Sequence, residues 1–385
     1  MNYFKITFVF ACTLILCPVI SSAEDASGTA VSPLRRGLTG TAQPIDAAAE
    51  AKAVDLIKFI DLKRNEFEGR LAMIKGHAGT KASVRYPFDL ARVIDSGRRN
   101  FNEYDLGINE KKELNRPNFG EMIKTSGELL ASLEAGTDPL WQAKGDLKRH
   151  YWFEEAHEIM PYRIYVPPAW DGKTALPAIL ILHGNTRDQD FYFERDGGKI
   201  PKFAQTNGYL LISPLAYRPN AGYNSANLQS LAGGNSNAPV AGKRQSPTQT
   251  SLYSEKDAIN VFELVKKEYP LDPKRTFLFG YSAGGAGALY FGPKYAQNWA
   301  AMAAGGSNIG PGNYPFDLLK EMPVHLFFGD KDSAGVLQGT RDLSAAMKAS
   351  GIQVDLAEYQ GYTHDTAPGA AIPHLFEFFN SHPRK

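Results

Sequence analysis

Short, mostly apolar runs punctuate the second half of the chain, at residues 178–182, 209–212, 276–279, 300–303, 324–328 and 354–357. Runs of that length without polar alternation fit strands buried on both faces, as in a parallel sheet. Residues 162–166 instead alternate, and they stop at Pro167-Pro168. Between the runs, apolar positions recur every three or four residues. Ser254, with Asp257 three residues on, predicts the start of a helix through Val261, Leu264 and Val265. Further helices are predicted at residues 283–291, about 339–348 and 372–379. Strands alternating with helices predict an α/β fold over residues 148–385, a mostly parallel sheet with helices on both faces.

Upstream, Asp46 can cap a helix running from residue 47 to about 75, with Ala53, Leu56, Ile57, Ile60, Phe67, Leu71 and Ile74 as its apolar stripe. A second helix is predicted at residues 119–134, through Met122, Ile123, Leu129, Leu130 and Leu133. Residues 24–147 thus read as a mainly helical N-terminal extension without a chemical motif. Residues 1–23 read differently again. A basic start is followed by an apolar run at residues 6–20 and the small residues Ser21-Ser22-Ala23, the pattern of a cleaved signal peptide. The run is short of the ~20 residues that a membrane span needs. Leu16 is bulky where a lipoprotein signal has a small residue before its cysteine. The expectation is a secreted or periplasmic protein without stable membrane insertion.

Composition narrows the class. The 385 residues are 43% hydrophobic and 22% charged, which excludes disordered, collagen-like and coiled-coil chains. Lys and Arg number 42 against 41 Asp and Glu, so the basic excess of a nucleic-acid binder is missing. Both cysteines, Cys12 and Cys17, fall in the signal segment, so the mature chain offers no thiol nucleophile, disulfide or thiolate metal site. The eight histidines show no H-E-x-x-H spacing, and there is no Walker-type or dinucleotide fingerprint. Neither metal nor cofactor is expected.

The chemistry concentrates at Gly280-Tyr281-Ser282-Ala283-Gly284, a G-x-S-x-G pattern. Alone the pattern is weak, but it sits between a buried-strand run and a helix-compatible stretch, the surroundings of a nucleophile elbow. Ser282 is the expected nucleophile. A serine hydroxyl needs a base held by an acid, in the chain order Ser, acid, His. Asp332, past the run at 324–328, is the expected acid in preference to Asp330, which reads as a turn residue. His364, in the loop after the last strand, is the expected base in preference to His374 in a helix and His382 in the tail. Backbone N–H groups of Ala283 and Asn185, the latter after Leu182-His183-Gly184, would form an oxyanion hole, with His183 bracing that loop.

These motifs, with residues 161–167 (Pro-Tyr-Arg-Ile-Tyr-Val-Pro) and Tyr269-Pro270-Leu271-Asp272, occur in the order seen in the α/β-hydrolase superfamily. Residues 148–379 resemble its members, and most closely the secreted esterases of the feruloyl esterase and polyhydroxybutyrate-depolymerase-like branch; residues 24–147 do not take part. One departure is Gly184-Asn185-Thr186, where such proteins often carry a smaller residue after His-Gly. The resemblance implies an exported serine esterase acting through an acyl-enzyme on a small or polymer-linked ester. The alternative, a peptidase similar to prolyl oligopeptidase, would need a β-propeller that residues 24–147 are too few and too helical to form. The stretch from Tyr217 to Tyr253 holds no Asp or Glu, and with Tyr217, Arg218, Tyr223, Lys243 and Arg244 it is expected to favour aromatic or anionic acyl groups.

Overall fold

Eight strands form one sheet in the order β1-β2-β4-β3-β5-β6-β7-β8. In chain order they are β1 (Gly145–Phe153), β2 (Glu158–Val166), β3 (Leu176–Leu182), β4 (Leu210–Pro214), β5 (Leu271–Tyr281), β6 (Ala301–Gly305), β7 (Val324–Gly329) and β8 (Val354–Tyr359). β1 and β2 are antiparallel to their neighbours, and the pairings from β4 through β8 are parallel. The helices are α1 (Ala47–Leu71), α2 (Ala78–Asp95), α3 (Phe119–Glu134), α4 (Phe191–Asn207), α5 (Gln249–Glu268), α6 (Ala283–Lys294), α7 (Ala334–Ala349) and α8 (Ala367–Ser381). This computed structural model describes residues 47–96, 98, 119–232, 248–319 and 321–385. The signal segment expected at residues 1–23 lies outside the described residues, as do Lys243 and Arg244. No helix among the described residues is long and apolar enough to cross a membrane.

The chain divides into two units, residues 1–61 with 91–118 and residues 62–90 with 119–385. In the first, the described residues are mainly the N-terminal part of α1 and the end of α2. The second holds the sheet. Its parallel strands alternate between two apolar layers, as a period of two requires. Leu180, Leu182, Leu278, Met302, Leu326 and their neighbours pack with α5, α6 and α7. Ile179, Ile181, Phe277, Phe279, Ala303 and Phe327 pack with α4 and α8 on the other face. Both faces are covered, which is why these runs lack polar alternation.

Where β1 meets the end of α5, the guanidinium of Arg149 grips Glu268 with two hydrogen bonds, 3.1 and 2.9 Å. Their side chains are only 2% and 8% exposed, and Glu268 also accepts the Gln142 N–H at 2.7 Å. Removing one partner of such a buried pair strands the other charge, at about 3–5 kcal/mol. Glu268→Ala is therefore expected to lose that much unfolding free energy in urea. A loss below about 1 kcal/mol would mean that Arg149 reaches water.

Several local expectations change. α5 begins at Gln249, with Thr248 as its cap: the Thr248 hydroxyl accepts the Ser251 N–H. Ser254 and Asp257 are thus not a helix start but sit fully buried on the inner face of α5. Ser254 Oγ accepts the Tyr223 N–H, while Asp257 accepts the Tyr151 hydroxyl and the Tyr217 N–H. Polar residues that look like a cap are the anchors of the loop after β4. α2, β1 and α4 are elements that the apolar pattern does not announce; α2 carries Pro87 and α4 Pro201 inside.

Candidate active site

The turn from β5 into α6 is made possible by two glycines. A Cβ at Gly280 would lie 2.0 Å from the Gly284 carbonyl oxygen, and one at Gly284 1.9 Å from that of Leu182. No side chain fits either position. Between them Ser282 takes φ 60° and ψ −122°, a strained conformation for a residue with a Cβ. Its N–H donates to the Gly305 carbonyl at 2.9 Å, tying the turn to β6. The strain faces the hydroxyl outward at the C-terminal rim of the parallel strands, where sites form in open α/β sheets.

At that rim His364 Nε2 lies 3.0 Å from Ser282 Oγ, and His364 Nδ1 lies 2.7 Å from Asp332 Oδ2. The Asp332 side chain is 3% exposed, and its other oxygen accepts the Ser333 N–H at 2.6 Å. Because a carboxylate only accepts, the proton belongs on Nδ1, leaving the Nε2 lone pair toward the serine hydroxyl. Asp330 is occupied otherwise, accepting the Gly361 N–H at 2.6 Å. His374 and His382 lie in and after α8, away from this rim.

The turn after β3 lies against the serine. A Cβ added to Gly184 would come within 3.3 Å of Ser282 Cβ. Asn185 follows as an exposed turn residue, and the Thr186 N–H donates to Asn220 Oδ1 at 2.8 Å, which holds the turn in place. Ala283 opens α6, so its N–H has no intrahelical acceptor. Both ring nitrogens of the buried His183 face carbonyl oxygens, of Gly184 and Leu215, each at 2.8 Å. Burial pushes this imidazole below its ordinary value.

The expected substrate contacts are placed differently. Tyr223 is 1% exposed and donates its hydroxyl to the His183 carbonyl at 3.1 Å, so it props the floor of the site instead of lining it. Arg218 lies over the Tyr217 ring and makes two 3.0 Å contacts with the buried Glu158. Its charge is spent within the fold, which removes the basis for expecting it to attract an anionic acyl group.

Three contributors carry no motif. Tyr281, a variable position of G-x-S-x-G, directs its hydroxyl toward Asp332 Oδ2 at 3.5 Å, and its ring centroid is 5.1 Å from that of His364. Arg195 donates to the Asp365 carbonyl at 2.6 Å from a kink in α4 at residues 195–198, steadying the His364 loop. Glu255 gathers Asn224, Tyr290, Tyr295 and Lys294 and so fastens the 3-10 segment Gly222–Ala232 to α6. Burial would raise its carboxyl, but the hydrogen bonds from Lys294, Tyr295 and Asn224 outweigh it and hold it below the ordinary carboxylate range. A lowered carboxyl stabilises above its unfolded value and loses that contribution as pH falls through the folded one. The stability cost of Glu255→Gln is thus expected to be full at neutral pH and to shrink below about pH 4.5. Melting curves of both proteins across that range would show it; a cost independent of pH would refute it.

Residues 177–368 match the model of the dienelactone hydrolase family. No curated protein matches the chain. Solved structures that superpose on it include the substrate-bound fluorophosphonate-binding serine hydrolase F of Staphylococcus aureus, at 14% identity over 61% of this chain and 98% of that one, TM-score 0.48. An S-formylglutathione hydrolase from Agrobacterium tumefaciens is 15% identical over 63% and 97%, TM-score 0.49. A ferulic acid esterase from Anaeromyces mucronatus, bound to ferulic acid, is 16% identical over 62% and 90%, TM-score 0.46. With its sheet order, its strand–turn–helix at Ser282 and the family match through β3 to α8, the chain belongs to the α/β-hydrolase superfamily.

Proposed function

We propose that this protein is an exported serine hydrolase that cleaves carboxylic esters through an acyl-enzyme, with Ser282, His364 and Asp332 as its triad. The observation that carries the reading is the unbroken chain from Ser282 Oγ through the imidazole of His364 to the Asp332 carboxylate, at 3.0 and 2.7 Å. Ser282 Oγ attacks the ester carbonyl while its proton passes to His364 Nε2. The resulting oxyanion is held by the N–H groups of Ala283 and Asn185, each donor typically contributing ~3 kcal/mol to the barrier reduction. The C–O bond to the alcohol then breaks, and His364 returns the proton to the departing oxygen. Water repeats the sequence on the acyl-serine, releasing the acid and restoring Ser282. None of these steps calls on a cofactor.

The substrate is a small or polymer-linked ester. Turnover of a panel of p-nitrophenyl and hydroxycinnamoyl esters, set beside prolyl-peptide amides, tests the class. Ester hydrolysis with amides untouched supports it; faster amide cleavage would replace it with a peptidase. Among the described residues before β1 the regular elements are the helices α1, α2 and α3, not the strands of a propeller. Export rests on the apolar run at residues 6–20 and on Ser21-Ser22-Ala23. An intact mass of the secreted protein starting at Glu24 would support it, and retention of residues 1–23 would count against it.

A further inference from the structure

We propose that His325, Asp355 and His374 form a site for one divalent transition-metal ion, Zn2+ by the chemistry of its donors, at the end of the sheet opposite Ser282. His325 is the second residue of β7 and pairs in register with Asp355, the second residue of β8. Residues paired in this way on parallel neighbours direct their side chains to the same face. That face carries α8, and His374 reaches the same point from it. His325 Nδ1 lies 2.8 Å and His374 Nε2 2.9 Å from one oxygen, Asp355 Oδ2. The three candidate ligand atoms all lie within 4.8 Å of one another.

Two imidazoles and a carboxylate are a nitrogen–oxygen donor set that suits Zn2+ and leaves a fourth tetrahedral position for water. Bonds of about 2.0–2.2 Å would set the ligand atoms about 3.3 Å apart, so the two nitrogen–oxygen distances lengthen by about half an ångström, and the two imidazole nitrogens, now within 4.8 Å, close by at most about 1.5 Å. Access is one-sided. His325 is fully buried, whereas the side chains of Asp355 and His374 are 39% and 37% exposed, so an ion can arrive from solvent and meet a fixed buried ligand. The other ring nitrogen of His374, Nδ1, lies 3.4 Å from the Tyr359 hydroxyl, a distant acceptor for its N–H when Nε2 is ligated.

The histidine on β7 is out of keeping with its surroundings, although its ring packs on Phe327 and Phe378. Its strand neighbours Val324, Leu326, Phe327 and Phe328 are all buried and apolar. Its Nε2 is buried without a hydrogen-bond partner, an arrangement that a native core rarely tolerates without a use for the group. Ligation through Nδ1 gives the imidazole that use, its one ring proton then resting on the buried Nε2. From His325 to Gly329, at ~3.3 Å per residue, the strand spans about 13 Å. The ion would therefore not touch the Ser282 rim, and its role is to fasten β7, β8 and α8 together.

The test uses the purified protein after chelator treatment, titrated with Zn2+ and with Co2+. Saturable binding of one ion per chain is expected, with tetrahedral Co2+ absorption and a melting midpoint that rises with the logarithm of free Zn2+. Losing an outer partner of a metal ligand costs about 10–100-fold in affinity, so losing a ligand in His374→Ala should cost at least tenfold. Asp355→Asn should do the same, with both variants still folded because the two positions are partly exposed. Ester turnover should be unchanged by the ion, and none of these readouts requires turnover. Absence of saturable binding would overturn the site, leaving a carboxylate that accepts two N–H groups. Equal affinity in His374→Ala would overturn it as well, assigning the ion to surface imidazoles such as His382.

Discussion

Ser282→Ala is expected to lower kcat for ester hydrolysis by roughly 10⁴–10⁶-fold, with the melting midpoint within a few degrees of the parent. Alanine keeps the Cβ, so the φ of 60° and the close approaches at Gly280 and Gly284 persist. Only the hydroxyl and its 3.0 Å contact with His364 Nε2 are lost. Residual rate would come from the N–H groups at Ala283 and Asn185, which the substitution does not touch. Labelling by a fluorophosphonate probe reports the same event directly. A probe adduct that survives in Ser282→Ala, or a loss of rate below about tenfold, would remove Ser282 from the role of nucleophile.

Asp332→Asn should cost about 10⁴-fold in kcat, for a reason specific to this site. Asp332 Oδ1 accepts the Ser333 N–H at 2.6 Å while Oδ2 faces His364 Nδ1 at 2.7 Å. Asparagine can keep the first contact only with its oxygen there, which brings its NH2 to His364. The imidazole must then accept at Nδ1 and carry its proton on Nε2, a donor facing the serine where an acceptor is needed. Asp330→Asn provides the contrast. Its oxygen can still accept the Gly361 N–H, so kcat should stay within about threefold of the parent. Steady-state kinetics of the two variants decide between the acids, and equal losses would show that neither is the specific partner of His364.

The core strands were legible because burial on both faces leaves a local trace, an unbroken apolar run of the right length. The elbow was legible for a similar reason. Gly280 and Gly284 are required by close backbone approach, and a run at 276–279 precedes them. The antiparallel strand β1, with Asp146, Lys148 and Arg149 among its nine residues, carries no such run. α2 was hidden by Pro87, which reads as a break although the helix continues through it. Ser254 and Asp257 misled for a different reason. A serine followed by an acid resembles a helix start, yet the same groups satisfy the buried N–H groups of Tyr223 and Tyr217. Arg218 misled too, since a cation in an acid-free stretch looks available until Glu158, sixty residues earlier, is found beside it.

The sequence by itself determined the alternation of strand and helix, the place of the sharp turn and the identity of its serine, since each depends on residues within a few positions of one another. The choice of Asp332 over Asp330 could be argued from sequence, but the contact that makes it was visible only in space. Tertiary structure alone decided that Arg149 meets Glu268, that Tyr281 and Arg195 support the His364 loop, and that His325, Asp355 and His374 share one corner. The physical reason is common to all of these. Which buried polar groups become partners depends on which strands lie side by side and which helix covers them, and strand order is not written in any local run of residues.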